Sequence, residues 1–153
     1  MPILDHTIVN ADDHRASAAF VADLLGLPAP VTLGHFAVVH VGEVTTLDFV
    51  HVDGPVKSQH YAFLVTEAEF DEIFARIQAH GVPYWADPYH RQPGRINTND
   101  GGRGLYWEDA DGHNLEIITR PYGSGGTTAA NPHPLVAEAS DRAPDAGARR
   151  RTT

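Results

Sequence analysis

Gln59-His60-Tyr61-Ala62-Phe63-Leu64-Val65 is an apolar run with one histidine near its start, and Thr66 onward carries a helical pattern directly behind it. The same shape occurs near the N-terminus, where Leu4-Asp5-His6-Thr7-Ile8-Val9 leads a histidine into a strand-like run followed by a second helical segment. Short alternating apolar runs read as strands, and apolar spacings of three and four read as helices. The chain therefore reads as one motif used twice, a repeat of structure rather than of close sequence identity.

The first copy continues with Asp12 or Asp13 as a helix cap and with Ala16, Phe20 and Leu24 as an apolar stripe, ended by Gly26 and Pro28. Residues 35–41 (HFAVVHV) and 45–52 (TTLDFVHV) read as two strands joined by a turn at Gly42-Glu43, with a short extended piece around Val31. After a linker at Asp53-Gly54-Pro55, the second copy places Thr66 and Glu69 as a capping box. The helix behind it repeats Phe70, Ile73, Phe74 and Ile77 at the spacing of a buried face, and Gly81 and Pro83 stop it. Residues 82–86, 105–108 and 115–120 read as strands, the last two joined by a turn at Asp111-Gly112. Residues 87–102 form a long loop of the kind that usually carries function or moves. The expectation is a first module over 1–53, a second over 54–122, and a disordered tail over 123–153.

Composition narrows the function. With no cysteine among 153 residues, thiol chemistry is excluded and any metal is held by His, Asp or Glu. A formal net charge of -9, with Lys57 the only lysine, argues against general nucleic-acid binding, and solvation is the expected role of Arg149-Arg150-Arg151. No apolar run approaches the roughly 20 residues of a membrane span, and the N-terminus lacks a secretory pattern, so a soluble cytoplasmic protein without a membrane partner is expected. Of the 10 histidines, His14, His80, His113 and His133 are expected at the surface or in turns.

The two copies place their polar residues alike. His6 and His60 stand near the starts of equivalent strands, while Asp48 (Thr46-Leu47-Asp48-Phe49-Val50) and Glu116 (Asn114-Leu115-Glu116-Ile117-Ile118) interrupt equivalent apolar strands. With a period of two, the flanking Leu and Phe or Ile face a helix and the carboxylate faces the other way. A carboxylate there is costly to desolvate without a positive partner. Two imidazoles and one or two carboxylates closing on a divalent cation supply one; the ligand set suits Fe(II), Mn, Ni, Co or Zn with open positions. The alternative is two satisfied strand histidines and a Glu116–arginine pair. Tyr84, Trp85, Tyr89 and Trp107 gather around the long loop, as strand packing or as a wall for a planar substrate.

These residues resemble the vicinal-oxygen-chelate superfamily: glyoxalase I, extradiol dioxygenases, fosfomycin-modifying transferases and bleomycin-binding proteins. The resemblance rests on Leu4-Asp5-His6, on Gln59-His60-Tyr61-Ala62-Phe63 and on Gly104-Leu105-Tyr106-Trp107-Glu108-Asp109-Ala110-Asp111-Gly112-His113-Asn114-Leu115-Glu116. It implies an α+β fold of two paired βαβββ modules, with a cupped mixed β-sheet, helices on its outer face and frequent homodimers. It further implies His6, His60 and Glu116 as metal ligands, Asp48 as fourth ligand or general base, and Tyr106 as a catalytic oxyanion donor. The implied activity is a metal-dependent lyase or isomerase of the glyoxalase kind, or an extradiol-type dioxygenase, acting on a small molecule through adjacent oxygens. The alternatives are a fosfomycin-type transferase, for which Arg91, Arg95 and Arg103 are candidate cations, and an antibiotic-sequestering protein. Three positions depart from the ring-cleaving pattern: Ala110 stands where it has proline, its upstream histidine falls on or near Asn97, and the histidine it uses ahead of the second metal-binding histidine would fall near Thr46. His40, His51 and His90 are the candidate substitutes.

Overall fold

Each half of the chain is built around one capped helix. In the computed structural model, which describes residues 1–136, α1 (His14–Leu25) begins at Asp13, whose carboxylate accepts the Ala16 N–H, and ends at Gly26 in the left-handed conformation, φ 69. α2 (Glu67–Ala79) begins on the expected capping box: Thr66 accepts the Glu69 N–H, and Glu69 accepts the Thr66 N–H.

The strands are β1 (His6–Ala11), β2 (Val31–Leu33), β3 (Phe36–Val41) and β4 (Thr45–His51) in the first half, then β5 (His60–Leu64), β6 (Tyr84–Trp85), β7 (Gly104–Glu108) and β8 (Asn114–Ile118) in the second. They form two four-stranded sheets, ordered β1-β4-β3-β2 and β5-β8-β7-β6. In each sheet the first strand runs parallel to the last and every other pair is antiparallel. The fold is therefore the expected α+β pair of βαβββ modules, built as two adjacent mixed sheets. Gln59 joins their edges: its amide oxygen accepts the Asn10 N–H at 3.0 Å and its nitrogen donates to the Ile8 carbonyl at 2.9 Å.

Strand parity follows the sequence pattern. Leu47, Phe49, Leu115 and Ile117 are buried in one hydrophobic cluster with Val21, Leu24, Phe70 and Ile77 from the two helices. Asp48 and Glu116 alternate with them and so face away from the helices. The α1 stripe is rotated from its expected position. Ser17, Ala18, Val21, Ala22 and Leu24 are the buried positions, whereas Ala16 is exposed and Phe20 only half-buried. The small Ala18 and Ala22 let the helix close on β3 and β4, an approach that Phe20 at the contact would hold apart.

Two segments lie closer to the fold than composition suggests. In the long loop, the Asp87 carboxylate accepts the N–H groups of Tyr89, Arg91 and Gln92. Burial pushes its pKa up, but these donors outweigh that and leave it below the ordinary range. After β8, the buried Arg120 donates to the carbonyls of Gly125 at 2.9 Å and Pro132 at 3.0 Å. His133, expected at the surface, is buried, and so is His113. Residues 123–136, assigned to a tail by composition, are thus fastened to the second module. Residues 137–153, with the three arginines, lie outside the described residues. No described helix is long and apolar enough to cross a membrane.

Candidate metal centre

Register places the expected residues on one face of each sheet. Ile8 pairs with Asp48 and Ala62 with Glu116, while His6 and His60 each stand two residues earlier, opposite Thr46 and Asn114. Side chains two apart on a strand share a face. Asp48 is therefore the structural equivalent of Glu116, as His6 is of His60.

In the second module the group closes. His60 Nδ1 lies 2.8 Å from the Asn114 carbonyl oxygen, which can only accept, so Nδ1 carries a proton and Nε2 is left to face the site. Nε2 sits 3.4 Å from Glu116 Oε2; the imidazole is half exposed and the carboxylate is 1% exposed. An imidazole nitrogen facing a buried carboxylate needs a proton or a cation between them. A backbone carbonyl orienting the second ring nitrogen is the usual support of a metal-binding histidine. Tyr106 is Glu116's register partner on β7 and its ring stacks on His60 with centroids 6.1 Å apart. Trp107, one residue on, is fully buried in the core, so Tyr106 takes the opposite face of the strand with Glu116, where it too is buried. Burial and the neighbouring Glu116 and Tyr122 push the Tyr106 phenol far up, keeping it protonated.

In the first module His6 and Asp48 line a concavity of about 380 Å³ with His40, Thr46, Val31 and Leu33. His6 Nδ1 is 2.7 Å from the Asp5 carboxylate, so here too Nε2 is left for another partner. The Asp5 hydrogen bond raises the His6 pKa against the opposing desolvation, and Asp48 adds to the rise. Thr46 Oγ1 donates to Asp48 Oδ1 at 2.7 Å. His60 and Glu116 are absent from this concavity. Within one chain the expected set is therefore divided: His60, Glu116 and Tyr106 come together, His6 and Asp48 come together, and the two groups do not meet.

Other singled-out residues have structural partners. Asn97 exchanges backbone hydrogen bonds with Gly104, and its amide donates to the Ala86 carbonyl at 2.9 Å. It pins the long loop. Arg103 is committed to Glu67 at 2.6 Å and Asp71 at 2.7 Å, which removes it from the cations a phosphonate would need. Trp85 stacks on His90 with centroids 3.8 Å apart, at the rim beyond Tyr106, while Tyr84 packs edge-on against Phe74. The aromatic group is thus part wall and part core. His51 is held by the Asp12 carbonyl and by Asp53.

Sequence reasoning missed two features. Tyr122, beyond the last strand, donates a short hydrogen bond to Glu116 Oε1; no motif marks it. Asp109, Asp111 and His113 form the one group of three metal-type ligands found among the described residues. His113 Nδ1 accepts the Gln59 N–H at 2.9 Å and Nε2 donates to the Asn10 carbonyl at 2.6 Å, so its ring has no lone pair left for a cation. Burial pushes the Asp109 carboxyl up. The group is a clasp between the modules.

Residues 3–117 match the family described as the Glyoxalase/Bleomycin resistance protein/Dioxygenase superfamily. The solved oxidase ChaP-H1 is similar at 62% identity, with 80% of this chain and 99% of that one covered and a TM-score of 0.79. For oxidase ChaP-H2 the identity is 58%, over 82% of this chain and 98% of that one, with a TM-score of 0.80. A curated relative, glutathione transferase FosA of Serratia marcescens, is 28% identical over 120 residues, 74% of this chain and 78% of the relative.

Proposed function

We propose, from the premise that this chain belongs to the Glyoxalase/Bleomycin resistance protein/Dioxygenase superfamily, that it is an Fe(II)-dependent oxidase of a small planar molecule bound through two adjacent oxygens. The observation that carries this reading is His60 Nε2 facing the buried Glu116 Oε2 at 3.4 Å, with the other ring nitrogen held by a backbone carbonyl. High identity to two proteins named as oxidases, over nearly their whole lengths, favours oxidation over the lyase and transferase alternatives. Two histidines and one carboxylate with open positions suit Fe(II).

His6 is the third ligand, and a second copy of the chain supplies it. Three observations support this. The ligand set is divided within one chain, the two modules carry equivalent half-sites, and the first module's open face exposes Ile8, Val31 and Leu33. Exposed apolar residues in such a group mark an interaction surface. Two-fold pairing sets the first module of each copy against the second module of the other, so both sites form at once.

A bound iron supplies Lewis acidity toward the chelated oxygens and a redox partner for O2. The chain's own residues do the rest. Asp48, with Oδ1 held by Thr46, takes the proton of a substrate hydroxyl on its other oxygen. Tyr106, whose one hydroxyl hydrogen goes to Tyr122, lays its ring along His60 and steadies the ligand pair instead of donating to the oxyanion that this leaves. Trp85 and His90 offer a flat aromatic rim to a planar ring.

Anaerobic reconstitution with Fe(II), followed by metal analysis, tests the reading. About one iron per chain is expected for a two-His, one-carboxylate site, and His60→Ala abolishes it. Equal, negligible iron in both proteins contradicts it.

A further inference from the structure

We infer that Tyr122 is a positioning residue for Glu116: it holds one carboxylate oxygen so that only the other is offered to a metal. The inference rests on the metal reading above and concerns how the carboxylate is presented.

Glu116 has two oxygens with different partners. Oε2 faces His60 Nε2, and Oε1 accepts the Tyr122 hydroxyl hydrogen. A phenol has one hydrogen to give. The 2.7 Å contact between the Tyr106 and Tyr122 hydroxyls must therefore be donated by Tyr106. The result is a directed chain, Tyr106 to Tyr122 to Glu116, ending on the oxygen that turns away from His60. With that oxygen engaged, Glu116 binds through one atom. A six-coordinate ion held by two imidazole nitrogens and one carboxylate oxygen keeps about three open positions, against two if the carboxylate were bidentate. The third position lets two adjacent substrate oxygens and a further small ligand bind together.

Burial does not hold Tyr122 in place, because it is 54% exposed. A strap holds it. Arg120 anchors the segment to the Gly125 and Pro132 carbonyls, and Asp100 accepts the Gly125 N–H at 3.3 Å. Gly101 meets Gly126 so closely that a Cβ on Gly101 would lie 2.9 Å from the Gly126 Cα. The long loop of the second module and the segment after β8 thus grip each other, and the grip sets a phenol over the buried carboxylate. A group needed only to satisfy Glu116 could have come from the sheet.

Co(II) is the probe, titrated into the full-length protein, Tyr122→Phe and His60→Ala, with visible spectra and unfolding midpoints recorded for each. The inference expects Tyr122→Phe to bind Co(II) about tenfold or more weakly, the usual effect of losing an outer partner of a ligand. Its visible bands also differ from those of the parent protein, because the freed oxygen joins the metal. A role confined to stability moves the unfolding midpoint and leaves affinity and spectrum alone, which overturns the inference while His60→Ala still loses metal. If the parent protein and His60→Ala both bind no Co(II), the metal reading fails and the inference falls with it.

Discussion

Truncating His113 to alanine leaves two partly buried backbone groups without partners, the Gln59 N–H and the Asn10 carbonyl, and opens a void where the ring was fully enclosed. Each stranded group costs about 1–3 kcal/mol, and the cavity adds to that. His113→Ala is expected to lower unfolding stability by about 3 kcal/mol in a denaturant titration, without loss of His60, Glu116 or Tyr106. A change below about 1 kcal/mol would mean the modules are joined elsewhere. His113 could not be read from the sequence, where it follows a turn and resembles a surface histidine. Its partners, Asn10 and Gln59, are far from it along the chain and meet it only when the two modules close. Tyr122 was hidden for the same reason, since its value comes from the strap that carries it.

Among the elements, α2 is tied to the start of β7 by Arg103, which donates to Glu67 and Asp71 and lies 4.3 Å over the Phe70 ring. Burial pushes Glu67 up, but hydrogen bonds from Thr119 and Arg103 outweigh it and leave its pKa below the ordinary range. A lowered carboxylate pKa stabilises the fold above the unfolded value, and that gain is lost as pH falls through the folded one. Arg103→Gln is thus expected to cost about 1 kcal/mol near neutrality, the scale of a partly exposed network. The deficit shrinks below about pH 4, as urea titrations at several pH values would record; a deficit constant from pH 7 to pH 3 would contradict it. The helices and strands themselves were largely legible. The Thr66–Glu69 box and the alternation around Asp48 and Glu116 are local signals, and both hold. The α1 stripe was misread because alanine counts little in an apolar pattern yet decides how closely a helix can pack. The segment 123–136 was misread because its anchor is a buried arginine among carbonyls rather than a hydrophobic contact.

For the whole molecule, the repeat shows which residues are equivalent but not which half faces which. Sequence symmetry pairs His6 with His60 and Asp48 with Glu116. It is silent on whether one chain or two bring them together, because both arrangements bury the same helix faces. The divided half-sites and the open face with Ile8, Val31 and Leu33 favour two chains. The direct test is to co-refold His6→Ala with His60→Ala and measure bound Fe(II). Alone, each variant lacks a ligand in every site. In a mixed dimer one site loses both histidines and the other keeps both. With random pairing, about a quarter of the parent protein's metal sites return, as two-fold symmetry requires. Recovery near that fraction supports a site shared between copies; a mixture that binds no more metal than its separate components contradicts it.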